Sequence, residues 1–267
     1  MADDLALPSE ISAMQKLLTM MAQLRHPQNG CEWDRVQNFA SIAPYTIEES
    51  YEVADAIARD DMAALQDELG DLLFQVIFHA RMAEEKNIFN FKDIATALYD
   101  KMTSRHPHIF ADQPQDTQHQ TARWEAIKAQ ERANKGATSA LDGVALALPA
   151  LMRAEKLQKR AARMGFDWPD ISGPEAKVAE ELAELREATT EAEKIDEAGD
   201  LLFAAVNLVR AHGIAPEDAL RAANAKFERR FRAMEALSAT QNRPFAERTL
   251  DEQESLWLQV KIQERGI

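Results

Sequence analysis

Apolar residues recur at the spacing of an α-helix in both halves of the chain. In the second half the stripe consists of Ile195, Ala198, Leu201, Leu202, Ala205, Val206 and Val209. In the first half it consists of Leu69, Leu72, Leu73, Val76, Ile77 and Ala80. This i, i+3, i+4, i+7 pattern is typical of a helix with one buried face. Short polar breaks at residues 59–61 and 189–191 are long enough to join antiparallel helices, so each half is predicted to contain a helical hairpin.

The composition favours the same fold class. Nine of the 267 residues are glycine, which is about half the usual share of about 7%. Aromatic residues make up 7% of the chain, and the abundant Ala, Glu, Leu, Gln and Arg are strong helix formers and poor strand residues. The prediction is an all-α protein.

Four sequence motifs occur twice along the chain, in the same order. Glu-Leu-Gly-Asp-Leu-Leu-Phe at residues 68–74 returns as Glu-Ala-Gly-Asp-Leu-Leu-Phe at residues 197–203, an offset of 129. A Glu-Glu-x-x-Glu cluster precedes each copy, and a basic pair and a Trp-x-x-x-Lys-x-Gln-Glu segment follow it, at offsets of 125 to 133. We interpret the chain as two helical bundle domains from an internal duplication, at residues 1–138 and 139–267, with the boundary near Ser139 in a segment of small, turn-prone residues.

Charge and cysteine content narrow the function classes. Acidic residues outnumber basic ones by 45 to 31, giving a net charge of −14, which disfavours nucleic acid as a partner. The single cysteine, Cys31, excludes an internal disulfide and suits a reducing compartment. The sequence has no long apolar run and no signal peptide pattern, so a cytoplasmic protein without membrane contact is expected.

Acidic residues at helical spacing are the strongest candidates for chemistry. Residues three or four apart share one face of a helix, and a hairpin would bring two such faces together. The carboxylates concerned are Glu48, Glu49, Glu52, Glu68 and Asp71 in the first half, and Glu180, Glu181, Glu184, Glu197 and Asp200 in the second. Converging carboxylates require a cation, and Mg²⁺ or Mn²⁺ suits oxygen ligands best. The alternative is a solvated acidic surface, but the close repetition argues against it.

Basic and aromatic residues follow each acidic hairpin. Lys101 and Arg105 in the first half correspond to Lys226 and Arg230 in the second, and one helical turn separates the members of each pair, as suits binding of phosphate oxygens. Trp124 and Trp257 each precede a lysine by four residues, Lys128 and Lys261, so they could contact a base or ribose. Because the chain has no Gly-x-x-x-x-Gly-Lys-Ser/Thr loop, these features suggest a helical nucleotide hydrolase.

Several motifs resemble one known family. The Glu-Glu-x-x-Glu and Glu-x-x-Asp pattern is similar to that of the all-α nucleoside triphosphate pyrophosphohydrolases, and its duplication resembles the tandem MazG family. The same family resemblance includes Cys-Glu-Trp-Asp at residues 31–34, Leu-Asp-Gly-Val at 141–144, Leu-Pro-Ala-Leu at 148–151 and Gly-Phe-Asp-Trp-Pro at 165–169. One departure is Glu32, where the family usually has proline, which alters a turn near the first acidic cluster.

The resemblance implies Mg²⁺-dependent hydrolysis of the α–β phosphate bond by a homodimer, giving a nucleoside monophosphate and pyrophosphate. It implies that Glu181, Glu184, Glu197 and Asp200 bind the metal, with Glu180 as a further ligand or base; the first-half counterparts are Glu49, Glu52, Glu68 and Asp71. It also implies phosphate contacts for Lys226 and Arg230, and nucleoside contacts for Trp257 and Lys261. One carboxylate of the cluster would orient or deprotonate the attacking water.

The two halves differ beside their acids. Lys177 lies one turn before Glu180 and Glu181, whereas Tyr45 occupies the matching position in the first half. The second half is therefore predicted to be the main catalytic domain, and the first half a weaker site, a nucleotide sensor or a dimerisation module. Two alternatives to an enzyme remain open: a metal-dependent nucleotide-binding regulatory module with vestigial catalysis, and a helical scaffold with solvated acidic faces.

Overall fold

Helices form every regular element among the residues that the structure describes. This computed structural model describes residues 8–111, 124, 127–131, 134 and 136–265. The chain divides into two compact units, Met1–Trp124 and Glu125–Ile267. The predicted all-α class with two tandem helical units is confirmed, while the boundary of the duplicated sequence near Ser139 stays a prediction.

The first unit is built around one long helical hairpin. Its helices are α1 (Pro8–Leu24), α2 (Glu32–Val36), α3 (Phe39–Ala58), α4 (Met62–Glu85), α5 (Phe91–Arg105) and α6 (Pro107–Phe110). α3 packs along α4, and α1 and α5 pack against α4. The side chains at the centre of the core are Met21, Ile42, Ile77, Phe78 and Met82. Burial of their apolar surface holds α1, α3 and α4 together.

The second unit repeats the hairpin and extends it. Its helices are α7 (Ala150–Ala162), α8 (Ser172–Glu187), α9 (Glu191–Ala211), α10 (Pro216–Thr240) and α11 (Leu250–Glu264), with a 3₁₀ turn at Phe245–Glu247. α8 packs along α9, and α7 contacts α9 and α10. α11 lies against α10, where Met234, Leu256 and Val260 form a separate buried cluster. No helix of the described residues is long and apolar enough to cross a membrane.

Side-chain caps fix the points at which the hairpin helices begin. The predicted break at residues 59–61 lies between α3 and α4, and the break at 189–191 lies at the junction of α8 and α9. Asp61 accepts a hydrogen bond from the backbone N–H of Ala64 at the start of α4. At α9, Thr190 and Glu193 form a reciprocal capping box, which satisfies backbone donors that a helix start leaves unpaired.

The cap at α9 predicts a pH-dependent contribution to stability. Backbone N–H groups of Thr190 and Thr189 donate to the Glu193 carboxylate, at 2.9 Å each, and lower its pKa from 4.5 to about 2. A lowered pKa in the folded state stabilises the fold above the unfolded value, and this stabilisation disappears as the pH falls from about 4.5 toward 2. We expect Glu193→Gln to lower the melting temperature at pH 7, with a deficit that shrinks below pH 4.5.

Thermal unfolding of the wild type and the variant between pH 7 and pH 3 measures this difference. Glu191→Gln is the matched control, because it removes one negative charge from the same first turn of α9. An equal deficit for the two variants at every pH would mean that the cap hydrogen bonds contribute nothing beyond charge at the helix start.

Candidate active site

The second-unit hairpin brings three predicted metal ligands together. Glu181 comes from α8, and Glu197 and Asp200 come from α9. Each offers one carboxylate oxygen, and these three oxygens lie within 4.8 Å of one another. Glu181 is buried, and its Oε2 atom has no hydrogen-bond partner. A shielded carboxylate oxygen without a donor, next to two further carboxylates, fits a hard divalent cation.

The remaining two acids lie at the edge of this cluster. Loss of solvent and the charges of Glu181 and Glu197 raise the pKa of Glu184, so Glu184 belongs to the same electrostatic group. The pKa of Glu197 is raised for the same kind of reason, by loss of solvent first and by neighbouring carboxylates next. Glu180 is exposed and accepts a hydrogen bond from Lys177 at 2.9 Å. Its predicted role as a further ligand or base stays a prediction.

Lys177 faces the acidic cluster, as its spacing indicated. Its Nζ atom lies 2.5 Å from Glu181 Oε1 and 2.9 Å from Glu180 Oε1. Hydrogen bonds with these two carboxylates raise the pKa of Lys177 above its usual range. The lysine therefore compensates part of the negative charge and leaves the other oxygen of Glu181 unpaired.

The first-unit hairpin forms a second acidic cluster. Glu49 on α3 and Glu68 and Asp71 on α4 have carboxylate oxygens within 4.8 Å of one another. Burial and the charge of Asp71 raise the pKa of Glu49, while loss of solvent and the charge of Glu52 raise that of Glu68. The Oε2 atom of Glu49 is buried without a partner. The donor set therefore also fits a divalent cation.

A cavity of about 420 Å³ adjoins the second-unit acids. The residues that line it include three charged groups of the site, Lys177, Glu181 and Asp200. The other lining residues are Leu141, Leu157, Gln158, Ala161, Phe166, Asp167, Trp168, Phe203, Ala204, Asn207 and Arg210. The wall is thus mainly apolar and aromatic, with a few polar groups, which is typical of a site for a small organic ligand.

Gly173 makes room for one aromatic wall of this cavity. A Cβ atom at Gly173 would lie 2.0 Å from Cδ1 of Trp168, so only glycine allows the indole ring to rest on the start of α8. Trp168 belongs to a motif of the family resemblance, but the sequence predicted no role for it, nor for Gln158 or Asn207. A helical stripe indicates which side chains are buried, but it does not show which of them border a cavity.

Side chains occupy the corresponding region of the first unit. At the offset of 129 residues, Ala204 corresponds to Gln75 and Asn207 to Phe78. Phe78 is fully buried, and the centre of its ring lies 6.5 Å from the centre of the Trp33 ring, with the two rings nearly perpendicular. The Nε2 atom of Gln75 lies 3.5 Å from Glu49 Oε1. Gln75 and Phe78 are thus larger than the residues at the corresponding positions beside the second-unit cavity, the small Ala204 and the polar Asn207.

The predicted phosphate and nucleoside residues of α10 and α11 do not line the cavity. The Arg230 guanidinium lies 5.3 Å from the centre of the Trp257 ring, and its Nε atom lies 2.7 Å from Glu264. Lys226 is exposed, and Lys261 is partly exposed on α11. The structure therefore brings Arg230 and Trp257 together but not onto the acidic cluster, and the roles of all four residues stay predictions.

Comparison with known proteins agrees with this arrangement. The family model of the MazG nucleotide pyrophosphohydrolase domain matches residues 37–110, and that of phosphoribosyl-ATP pyrophosphohydrolase matches residues 151–227. Each match spans one acidic hairpin. Two family models of pyrophosphohydrolases in tandem are therefore consistent with the duplication.

Whole-chain relatives extend the similarity. The chain is 51% identical over 260 residues to a nucleoside triphosphate pyrophosphohydrolase of Escherichia coli (strain K12), which covers 95% of this chain and 99% of that protein. It is 41% identical to the nucleoside triphosphate pyrophosphohydrolase/pyrophosphatase MazG of Thermotoga maritima, over 92% of this chain and 95% of that protein. It is also 42% identical to the uncharacterized protein YabN of Bacillus subtilis (strain 168), over 92% of this chain and 51% of that protein. The chain therefore belongs to the MazG family of nucleoside triphosphate pyrophosphohydrolases.

Proposed function

We propose that the protein hydrolyses nucleoside triphosphates between the α and β phosphates in its second unit, giving a nucleoside monophosphate and pyrophosphate. One observation carries this assignment: the second-unit carboxylates border a cavity of about 420 Å³ whose other walls combine apolar and aromatic side chains with a few polar groups. Ribo- and deoxyribonucleoside triphosphates are both candidate substrates, and removal of surplus or non-standard nucleotides is the proposed role.

The acids of the second unit are proposed to hold Mg²⁺, or Mn²⁺ in its place. Glu181, Glu184, Glu197 and Asp200 supply oxygen ligands, and the unpartnered Glu181 Oε2 supports this set. A divalent ion held there would neutralise charge on the phosphate oxygens and polarise the water that attacks the α phosphorus. Glu49, Glu52, Glu68 and Asp71 are proposed to form a second, weaker ion site in the first unit.

Side chains of the second unit are proposed to position the phosphates and the attacking water. Lys177 lies on the cavity wall beside Glu181, where its ammonium group can pair with a phosphate oxygen. A carboxylate of the cluster accepts a proton from the attacking water as the new P–O bond forms at the α phosphorus. The bond to the bridging oxygen breaks, and pyrophosphate leaves. Lys226 and Arg230 are proposed to bind the phosphates, supported by their repetition in the sequence.

The first unit is proposed to contribute little to turnover, because Phe78 and Gln75 occupy the region that corresponds to the nucleotide cavity. A homodimer in the cytoplasm is the proposed assembly and location. Exposed apolar side chains on α9 support association, since Ile195 is 67% exposed and Leu202 is 61% exposed. Measurement of the molar mass in solution tests the dimer.

Product analysis is the decisive test of the reaction. The protein is incubated with Mg²⁺ and a panel of nucleoside triphosphates, and nucleotides, pyrophosphate and orthophosphate are assayed separately. We expect monophosphate and pyrophosphate in equal amounts, with loss of turnover on addition of EDTA. Glu184→Gln should reduce kcat at least about a hundredfold, because a ligand of the ion or its water is lost.

Glu52→Gln is the matched control, since it makes the same change at the corresponding position of the first unit, and we expect most activity to survive. Diphosphate with orthophosphate would contradict cleavage at the α–β bond. Equal losses in the two variants would contradict the assignment to the second unit. Nucleotide binding without turnover would favour the regulatory alternative.

The acidic clusters predict stabilisation by divalent ions. An ion that binds only the folded state stabilises it by about 2.7 kcal/mol at 100 times its Kd, so Mg²⁺ or Mn²⁺ should raise the melting temperature of the wild type. The double variant Glu181→Gln/Asp200→Asn should lose the second-unit part of this shift, and Glu49→Gln/Asp71→Asn the first-unit part. A melting temperature that neither ion changes would favour solvated acidic faces.

A further inference from the structure

We propose that Lys177 is an internal counter-ion of the second-unit acidic cluster, and that its ammonium group leaves the cluster for a phosphate group when a nucleotide binds. The divalent ion and the nucleotide then increase each other's affinity through this lysine. The inference rests on the proposed function and adds a coupling between the two ligands. Lys177 stays charged throughout, and only the partner of its ammonium group changes.

The ammonium group of Lys177 occupies a carboxylate that a divalent ion would use. Its Nζ atom lies 2.5 Å from Oε1 of Glu181 and 2.9 Å from Oε1 of Glu180, on the same face of α8. Loss of solvent and neighbouring carboxylates raise the pKa of Glu184 and of Glu197, and the charge of Lys177 partly offsets both increases. The lysine therefore acts on acids of both hairpin helices.

A positive charge at this place opposes the binding of a divalent ion. The ion would have to share the Glu181 carboxylate with the ammonium group or displace it, and like charges at such short distances repel each other. Displacement also breaks charge-assisted hydrogen bonds. The site without nucleotide therefore binds an ion less tightly than its carboxylates alone would.

The first unit has a neutral partner at the corresponding carboxylate. Glu49 corresponds to Glu181 at an offset of 132 residues, and each has a buried Oε2 atom without a hydrogen-bond partner. The Oε1 atom of Glu49 accepts from the amide of Gln75 at 3.5 Å, and Tyr45 stands where the second unit has Lys177. The coupling is therefore a property of the second unit.

The cavity offers the ammonium group a second partner. Lys177 lines it together with Glu181 and Asp200, and 36% of the lysine side chain is exposed. A lysine has a flexible stem and rotatable donors, so it can move from a carboxylate to a phosphate oxygen without a backbone change. This move removes the competing charge from Glu181. By linkage, each ligand then raises the affinity of the other by the same factor.

Lys177→Gln tests both halves of this exchange, because it removes the charge and leaves a neutral amide, as Gln75 provides in the first unit. Binding of Mn²⁺ to the full chain without nucleotide, at about pH 7.5 where free carboxylates are ionised, is followed by the electron paramagnetic resonance of the free ion. Glu181→Gln/Asp200→Asn shows which binding belongs to the first unit. We expect Lys177→Gln to bind Mn²⁺ about tenfold more tightly than the wild type in the second unit.

The same substitution should weaken nucleotide binding. The probe is a nucleoside triphosphate with a methylene group between the α and β phosphorus atoms, which cannot be cleaved there. At saturating Mn²⁺ we expect its affinity, measured by calorimetry, to fall about tenfold in Lys177→Gln. Damage to the fold would weaken both ligands, whereas the exchange strengthens one and weakens the other.

Lys159→Gln is the matched control. It removes a lysine from a pair with Glu155 on α7, where Nζ and Oε1 lie 2.6 Å apart, and should change neither affinity. Lys177→Met, which removes the donor as well, should also bind Mn²⁺ more tightly.

Unchanged or weaker Mn²⁺ binding in folded Lys177→Gln and Lys177→Met would overturn the proposal. Tighter Mn²⁺ binding with unchanged affinity for the methylene analogue would overturn it too, as would equal tightening in Lys159→Gln. Failure of the proposed function is distinguishable, because the wild type would then release no pyrophosphate from any triphosphate, whereas neither binding measurement depends on turnover.

Discussion

The close approach of like-charged carboxylates is the constraint on which the rest of this structure depends. Glu181, Glu197 and Asp200 place oxygens within 4.8 Å of one another, and their repulsion opposes the pairing of α8 with α9. The apolar faces of the hairpin, the capping box at Thr190 and the ammonium group of Lys177 offset this repulsion. The compensation is incomplete, because one oxygen of Glu181 stays unpaired. The hairpin thus keeps its carboxylates together at some cost to its own stability, which is typical of functional sites.

The two units share the close approach of carboxylates but differ in the residues around them. Both units retain a cluster of three carboxylates, so a donor set that fits a cation is common to them. They differ in what surrounds the acids: the second unit has Lys177 and a cavity beside Asn207, whereas the first has Tyr45 and a buried Phe78 at the corresponding positions. A buried phenyl ring favours core packing over ligand binding, so the first unit has a packed side chain where the second has a residue that lines a cavity.

Sequence periodicity could predict the helices, the hairpin breaks and the acidic clusters, because all of them depend on spacing within a helix or across a short turn. It placed Lys177 on the cluster for the same reason. It could not show that Gln158 and Asn207 border the cavity, because their positions depend on contacts between distant residues. Gln158 bonds to the carbonyl of Phe203, 45 residues away, and Arg210, which holds Asn207, pairs with Asp167, 43 residues away. Nor could it place Trp257, because a ring four residues from a lysine contacts whichever helix lies opposite, which here is α10 through Arg230.

The contacts of the Gly-Phe-Asp-Trp-Pro segment at residues 165–169 could not be predicted from its sequence. Gly165 has a φ of +85°, a conformation that favours glycine, and it turns the chain at the end of α7. Asp167 then pairs with Arg210 on α9, and Trp168 reaches the glycine at the start of α8. The segment therefore connects three helices around one cavity. Because Arg210 also holds the amide of Asn207, a change at Asp167 would act on the cavity directly, as one of its lining residues, and also through Arg210 and Asn207. Such coupling explains how residues of a short loop can influence the side chains that line the cavity.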